Sequence, residues 1–283
     1  MFNYQALLIE SFVKELKNAY HQTYSALEPQ FANVIEWTGR LALENIANSD
    51  ALYHNVEHTI LVTLVGQAIL KGKHLSRGGV APTDWLHVIM AILCHDIGYV
   101  RGVCQADSRG EYATGIGEET VQLPDDGTDA ILTPYHVDRS MLFVRERFGS
   151  GRLEEAVDAE LIASYIERTH FPVPDEPKYQ ETGDFAGLVR AADFIGQLGD
   201  TNYLRKIPAL YYEFEETGVN QQIGYKSPGH MRSNFTRFYW DVVFPYLGDA
   251  LRYLNVTQEG KLWVANLYAH VHEIEHDLGQ NGI

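Results

Sequence analysis

The sequence predicts an all-α protein, on three observations. Apolar residues recur at helical spacing through most of the chain, the period-two alternation of strands is nearly absent, and the segments are punctuated by helix caps and stops. In the first segment Leu7, Ile9, Phe12, Leu16 and Tyr20 lie on one helical face, and in the second Phe31, Ile35, Leu41 and Ile46 do the same. A third helix is expected from about Asn55 to Lys71, bounded by "KGK", and a fourth from Thr83 as N-cap through "DWLHVIMAILCHD". In "TPYHVDRSMLFVRERFG", Thr133 reads as a cap, Pro134 as the first helical position and Gly149 as the stop. "RLEEAVDAELIASYIERTH" must end at "FPVP", where two prolines forbid continuation, and "DFAGLVRAADFIGQLGD" starts at a capping Asp184. Two irregular stretches interrupt the helices. Residues 101–132 are Gly-rich and too long for an ordinary connection, which favours a lid or disorder, and residues 217–230 form a shorter one. With no internal repeat and no linker, 1–283 reads as one helical domain, its core at approximately 50–200 and a helical extension at 201–283.

Composition narrows the function. The chain has 283 residues, 45% of them hydrophobic, enough for a substantial core. A formal net charge of −16 disfavours a nucleic-acid polymer as partner, because polyphosphates are bound by clustered Lys and Arg. A small anion remains possible if metal ions supply the local positive charge. The apolar run from Val88 to Cys94 is far short of the roughly 20 residues that span a bilayer, so no membrane partner is expected. The N-terminus carries charges through its apolar stretch, unlike a signal peptide, and Cys94 and Cys104 are too few for a disulfide framework. A cytoplasmic protein is the simplest expectation.

The chemistry concentrates in "YHNVEH", residues 53–58, and "CHDIGY", residues 94–99. His54 and His58, four apart, project from one helical face. His95 and Asp96 close an apolar helix where a carboxylate without a partner would be costly, and adjacent imidazole and carboxylate groups suit a borderline divalent metal. Asp193 lies on a helix that is otherwise apolar or small on that side, with no lysine or arginine one turn away on its apolar face. His58, His95, Asp96 and Asp193 in this order and helical setting resemble the HD superfamily of metal-dependent phosphohydrolases, over roughly residues 50–200. The resemblance implies an HD-domain bundle with N- and C-terminal helical extensions and these four residues as metal ligands.

"YHNVEH" is further similar to the start of the cyclic nucleotide phosphodiesterase catalytic domain, which implies that His54 is the proton donor to the leaving oxygen and His58 a ligand. The likeness stops at Tyr99, where that family's His-Asp-x-x-His motif requires another histidine. His136 and His170 resemble the additional ligands of the HD-GYP branch and of HD-fold diiron oxygenases, although the Gly-Tyr-Pro signature is missing. This implies two divalent ions (Fe, Mn, Zn, Co, Ni or Mg), about 3.5–4 Å apart and bridged by Asp96.

The expected activity is hydrolysis of a phosphoester in a small, nucleotide-like phosphorylated molecule, with Asp96 and His54 catalytic. Arg139, one turn beyond His136, and Gln197, one turn beyond Asp193, are candidates for holding substrate. The alternatives are an HD-fold diiron oxygenase acting on a small polar substrate and a non-catalytic sensory or scaffold domain. A remote third is a zinc peptidase through His272, Glu273 and His276, whose "HEIEH" sits too near the end of the chain for a third downstream ligand.

Overall fold

Apolar stripes at a 3.6-residue period must be buried against one another, and the computed structural model, which describes residues 3–124, 126–150 and 156–280, is built almost entirely of helices packed in this way. The helices are α1 (Tyr4–Tyr24), α2 (Pro29–Ile46), α3 (Val56–Arg77), α4 (Pro82–Cys94), α5 (His136–Phe148), α6 (Ala159–Ile166), α7 (Pro177–Gln180) and α8 (Phe185–Leu198). They continue with α9 (Tyr203–Glu216), α10 (Val219–Ile223), α11 (Pro228–Ser233), α12 (Phe235–Phe238), α13 (Gly248–Leu254) and α14 (Gln258–Gln280). One contiguous buried cluster draws on residues from Ile9 to Ile274.

The end of α4 meets the starts of α3 and α5, with α8 alongside. Asn55 caps α3, its side-chain oxygen accepting the backbone N–H groups of Glu57 and His58. Against α3 lies α8, and the approach is close enough that a Cβ on Gly196 would fall 2.6 Å from Val62 Cα. That contact places Asp193, one turn earlier on α8, beside His58, one turn earlier on α3. Helix α4 is buried from Trp85 to Cys94 and runs out at His95 and Asp96 into a 3-10 turn, Ile97–Tyr99. Gly98 in that turn lies so near the His136 carbonyl that any side chain would collide with it, which sets the first turn of α5 against the end of α4.

Several local expectations are corrected. Helix α4 begins at Pro82, capped by the Asp84 carboxylate accepting Ala81 N–H, rather than at a Thr83 cap. Thr133 belongs to a 3-10 turn, Asp129–Leu132, as its C-cap, and its hydroxyl donates to Ala130 O; α5 starts at His136. In the segment from 152 the helix among the described residues starts at Ala159, and residues 151–155 lie outside the described part. Asp184 and Gly149 act as anticipated, as N-cap of α8 and C-cap of α5.

Residues 101–132 carry structure of their own. Strands β1 (Glu111–Ala113) and β2 (Thr120–Gln122) pair antiparallel, with Tyr112 opposite Val121. Arg139 organises the segment. Fully buried, it donates to the carbonyls of Gly98, Val100 and Ala113 and grips the Asp107 carboxylate through both Nη atoms at 2.9 and 3.0 Å. Residues 217–230 contain α10 and the start of α11. No helix among the described residues is long and apolar enough to cross a membrane, and Cys94 and Cys104 are both free and buried.

Candidate metal centre

Four residues from three helices converge. His58 Nε2 and His95 Nε2 each lie 3.2 Å from Asp96 Oδ2, and they stand 3.3 and 3.5 Å from Asp193 Oδ1. Among the described residues, His58, His95 and Asp96 form the grouping tight enough to share one ion, and all three are buried. His58 Nε2, His95 Nε2 and Asp96 Oδ2 have no hydrogen-bond partner, although buried polar atoms are ordinarily satisfied.

The tautomers sharpen the point. His95 Nδ1 lies 2.7 Å from Ile92 O, His136 Nδ1 2.6 Å from Thr133 O and His170 Nδ1 2.7 Å from Glu167 O. A carbonyl only accepts, so each Nδ1 carries the proton, and each neutral ring presents a lone pair at Nε2. Nε2 lone pairs facing carboxylate oxygens repel unless a cation sits between them. Without one, only protons can neutralise the cluster. Burial disfavours charge on His95, yet Asp96 and Asp193 hold its pKa well above the usual histidine value. Burial likewise disfavours charge on Asp96 and Asp193, and the surrounding histidines keep both well below the carboxylate range. A divalent ion does the same work with one charge centre, and the donor set of imidazole and carboxylate fits it.

Asp96 also faces the other way. Its Oδ1 lies 3.8 Å from His136 Nε2, so the two carboxylate oxygens address different histidines. Burial pushes His136 down to about 4, against the pull of Asp96, leaving a neutral ring. His170 stands apart from the triplet: its Nε2 lies 3.3 Å from Asp138 Oδ2 on the first turn of α5. Burial opposes charge there too, but the Asp138 contact raises His170.

His54 occupies the rim of the centre. Its Nδ1 donates to Glu213 Oε2 at 2.6 Å, while Glu213 Oε1 accepts the backbone N–H groups of Tyr53 and His54. Burial would lower His54, but the Glu213 carboxylate, with Asp96 and Asp193 beyond, raises it to about 9. Its ring stacks on Tyr99 at 4.6 Å, and Tyr99 stacks in turn on His136 at 4.4 Å. Tyr99, at the position where a further histidine was expected by likeness, thus aligns two imidazoles.

Of the two expected substrate contacts, one is placed otherwise. Arg139 is withdrawn from the centre, its donors consumed by carbonyls and Asp107, which corrects its reading as a substrate-holding group. Gln197 is half-buried and paired with the Tyr203 hydroxyl. In the "HEIEH" segment, His272 and His276 are exposed and Glu273 is engaged by Arg232 at 2.9 Å.

Glu213, Asp138 and the ring contacts of Tyr99 escaped the sequence reading. A signal for Glu213 existed: it falls on the same α9 face as Tyr203, Ile207 and Leu210, all buried, where a lone carboxylate demands a partner. A cavity of about 320 Å³ lined by Leu41, Asn45, Phe143 and Glu146, among others, lies elsewhere and includes none of the site residues.

With the geometry in hand, comparison with known proteins is brief. No curated protein and no solved structure matches the chain. Residues 2–277 match the Npun_R2479-like family, and the chain belongs to it.

Proposed function

We propose that this member of the Npun_R2479-like family is a metal-dependent phosphohydrolase that cleaves a phosphoester of a small, nucleotide-like substrate. The observation that carries the reading is the convergence of buried, partnerless His58 Nε2, His95 Nε2 and Asp96 Oδ2, with Asp193 against both imidazoles and a carboxylate-backed histidine alongside. His58, His95, Asp96 and Asp193 would hold one divalent ion. Asp96 Oδ1, His136 and His170 would hold a second, for which His170 would exchange its contact with Asp138. A bound divalent ion would bring the pKa of coordinated water towards neutrality and offset charge on phosphoryl oxygens.

The chain's own residues would do the rest. Asp96, with one oxygen towards each set of histidines, would orient the reacting centre. His54 would protonate the departing alkoxide as the phosphorus–oxygen bond breaks, since Glu213 fixes its Nδ1–H and leaves Nε2 as the proton carrier. That dyad also favours hydrolysis over diiron oxygenation, which gives a buried histidine–glutamate acid no evident task.

His54→Gln should keep its metal and lose on the order of 10² to 10⁴ in rate on an alkyl phosphoester, because the alkoxide then departs unprotonated. On a nitrophenyl phosphoester, whose leaving group needs no proton, the variant should approach the wild-type rate. Turnover that consumes oxygen while neither protein cleaves any phosphate ester would overturn the proposal in favour of the oxygenase.

A further inference from the structure

Next in the chain to two of the proposed ligands stand rings that pack into a wall. Phe171 directly follows His170, and Phe194 directly follows Asp193; their rings meet edge to face at 6.2 Å. Phe238 of α12 packs on Phe171 at 6.0 Å, and Tyr246 on Phe194 at 6.5 Å. Phe194 is buried and the Phe238 and Tyr246 side chains are half-buried, but Phe171 is 40% exposed. Of the proposed ligands, Asp193 and His170 are also the most open, at 20% and 29% side-chain exposure. The exposed ring, Phe171, thus directly follows the most open of the proposed ligands.

The cations nearby do not compete with it for a ligand. Arg168 is paired with Asp184 at 3.1 Å, Lys178 with Glu167 at 2.7 Å, and Lys206 with Asp200 at 2.6 Å and Glu57 at 2.9 Å. Arg190 donates to the carbonyls of Tyr179 and Glu181 with its guanidinium 4.2 Å from the Tyr246 ring centroid. Arg168, Lys178 and Lys206 are thus held in ion pairs and Arg190 by carbonyls and a ring, whereas Phe171 is presented to a flat ring.

The geometry points to an aromatic subsite, formed by Phe171 with Phe238 and Phe194 behind it, that takes the planar group of a singly phosphorylated substrate whose phosphoryl lies at the metal centre. This rests on the phosphohydrolase reading and adds a class to it: an aryl or nucleobase-bearing monophosphoester is preferred to a polyphosphate or an alkyl phosphate. Stacking on an exposed ring is tolerant of the identity of the planar group, so the preference is for flatness and apolar area more than for one base.

The test is equilibrium binding of two phosphonates, which carry no cleavable ester, to the metal-loaded full chain. Wild-type protein should bind naphthylmethylphosphonate at least about fivefold more tightly than methylphosphonate, the low end of what one base–aromatic stack contributes. Phe171→Ala, a change at an exposed side chain, should remove that preference and leave methylphosphonate binding and metal content unchanged. Equal binding of the two phosphonates by the wild type, or a preference that survives in the variant, overturns the subsite and leaves the metal centre standing. Binding of neither phosphonate overturns the phosphoryl reading and the subsite with it.

Discussion

Asp96 is the residue on which the metal reading turns, and replacing it by asparagine isolates its charge from its shape. Its Oδ2 lies 3.2 Å from both His58 Nε2 and His95 Nε2, and its Oδ1 faces His136 at 3.8 Å. In Asp96→Asn the new amide can donate to one of the two Nε2 lone pairs, so the metal-free variant exchanges a charged cluster for a neutral hydrogen bond and has no reason to unfold. What it loses is an anionic ligand common to both sets of histidines. An ion present at a hundredfold excess over its dissociation constant stabilises the folded wild type by about 2.7 kcal/mol. For a chain of 283 residues each kcal/mol moves the melting temperature by about 2 °C, so the metal-induced shift should be roughly 5 °C. Thermal unfolding, followed after exhaustive chelation and again after adding Mn²⁺, Fe²⁺ or Zn²⁺, reads this directly. Wild type should shift and Asp96→Asn should not, while both metal-free proteins melt cooperatively. A variant that keeps the wild-type shift would refute the assignment of Asp96 as a ligand.

Arg139→Ala should be destabilising by about 3–5 kcal/mol, because it strands the buried Asp107 carboxylate; limited proteolysis should then cut within residues 101–123. An unchanged melting temperature with a raised KM would instead restore the substrate-holding role. His87 gives a pH dependence remote from the metal ligands: its Nε2 accepts Asp158 N–H, and burial lowers its pKa below the ordinary value despite Asp158 and Asp84 nearby. The unfolded chain binds that proton near pH 6.5, so this contribution to stability is present above about 6.5 and is lost as pH falls towards the folded pKa. Denaturant midpoints measured from pH 7.5 to 5 should fall less steeply in His87→Gln than in wild type, and parallel profiles would refute the linkage.

What could be read in the sequence was what local periodicity encodes. His58, His95, Asp96 and Asp193 each interrupt an apolar helical pattern, and a polar group in such a place needs a partner; the structure brings these four together. Arg139 was misread for the converse reason. A residue one turn beyond His136 starts out on a related face, but a long side chain can turn back, and here three carbonyls and Asp107 accept its N–H groups away from the centre. The hairpin within residues 101–132 was illegible because its strands are three residues each and the segment is anchored, through Ala113 and Asp107, by Arg139 from outside it.

Glu213 is the most instructive omission. It lies more than a hundred residues from His54 in the chain, so no spacing rule links them, yet it fixes the tautomer and orientation of the proposed acid through three contacts. It belongs to α9, beyond the boundary at 200 assigned to the core. The proposed metal ligands all lie before that boundary, and Glu213, together with Phe238 and Tyr246 of the aromatic wall, lies after it. On the proposed reading the core stretch supplies the ion ligands and the acid His54, and the stretch beyond it supplies the carboxylate that holds that acid in place. A protein truncated after α8 would retain every proposed ligand while leaving His54 Nδ1 without its carboxylate, so the C-terminal helices are better regarded as a second contributor to the site than as an extension packed on a finished one.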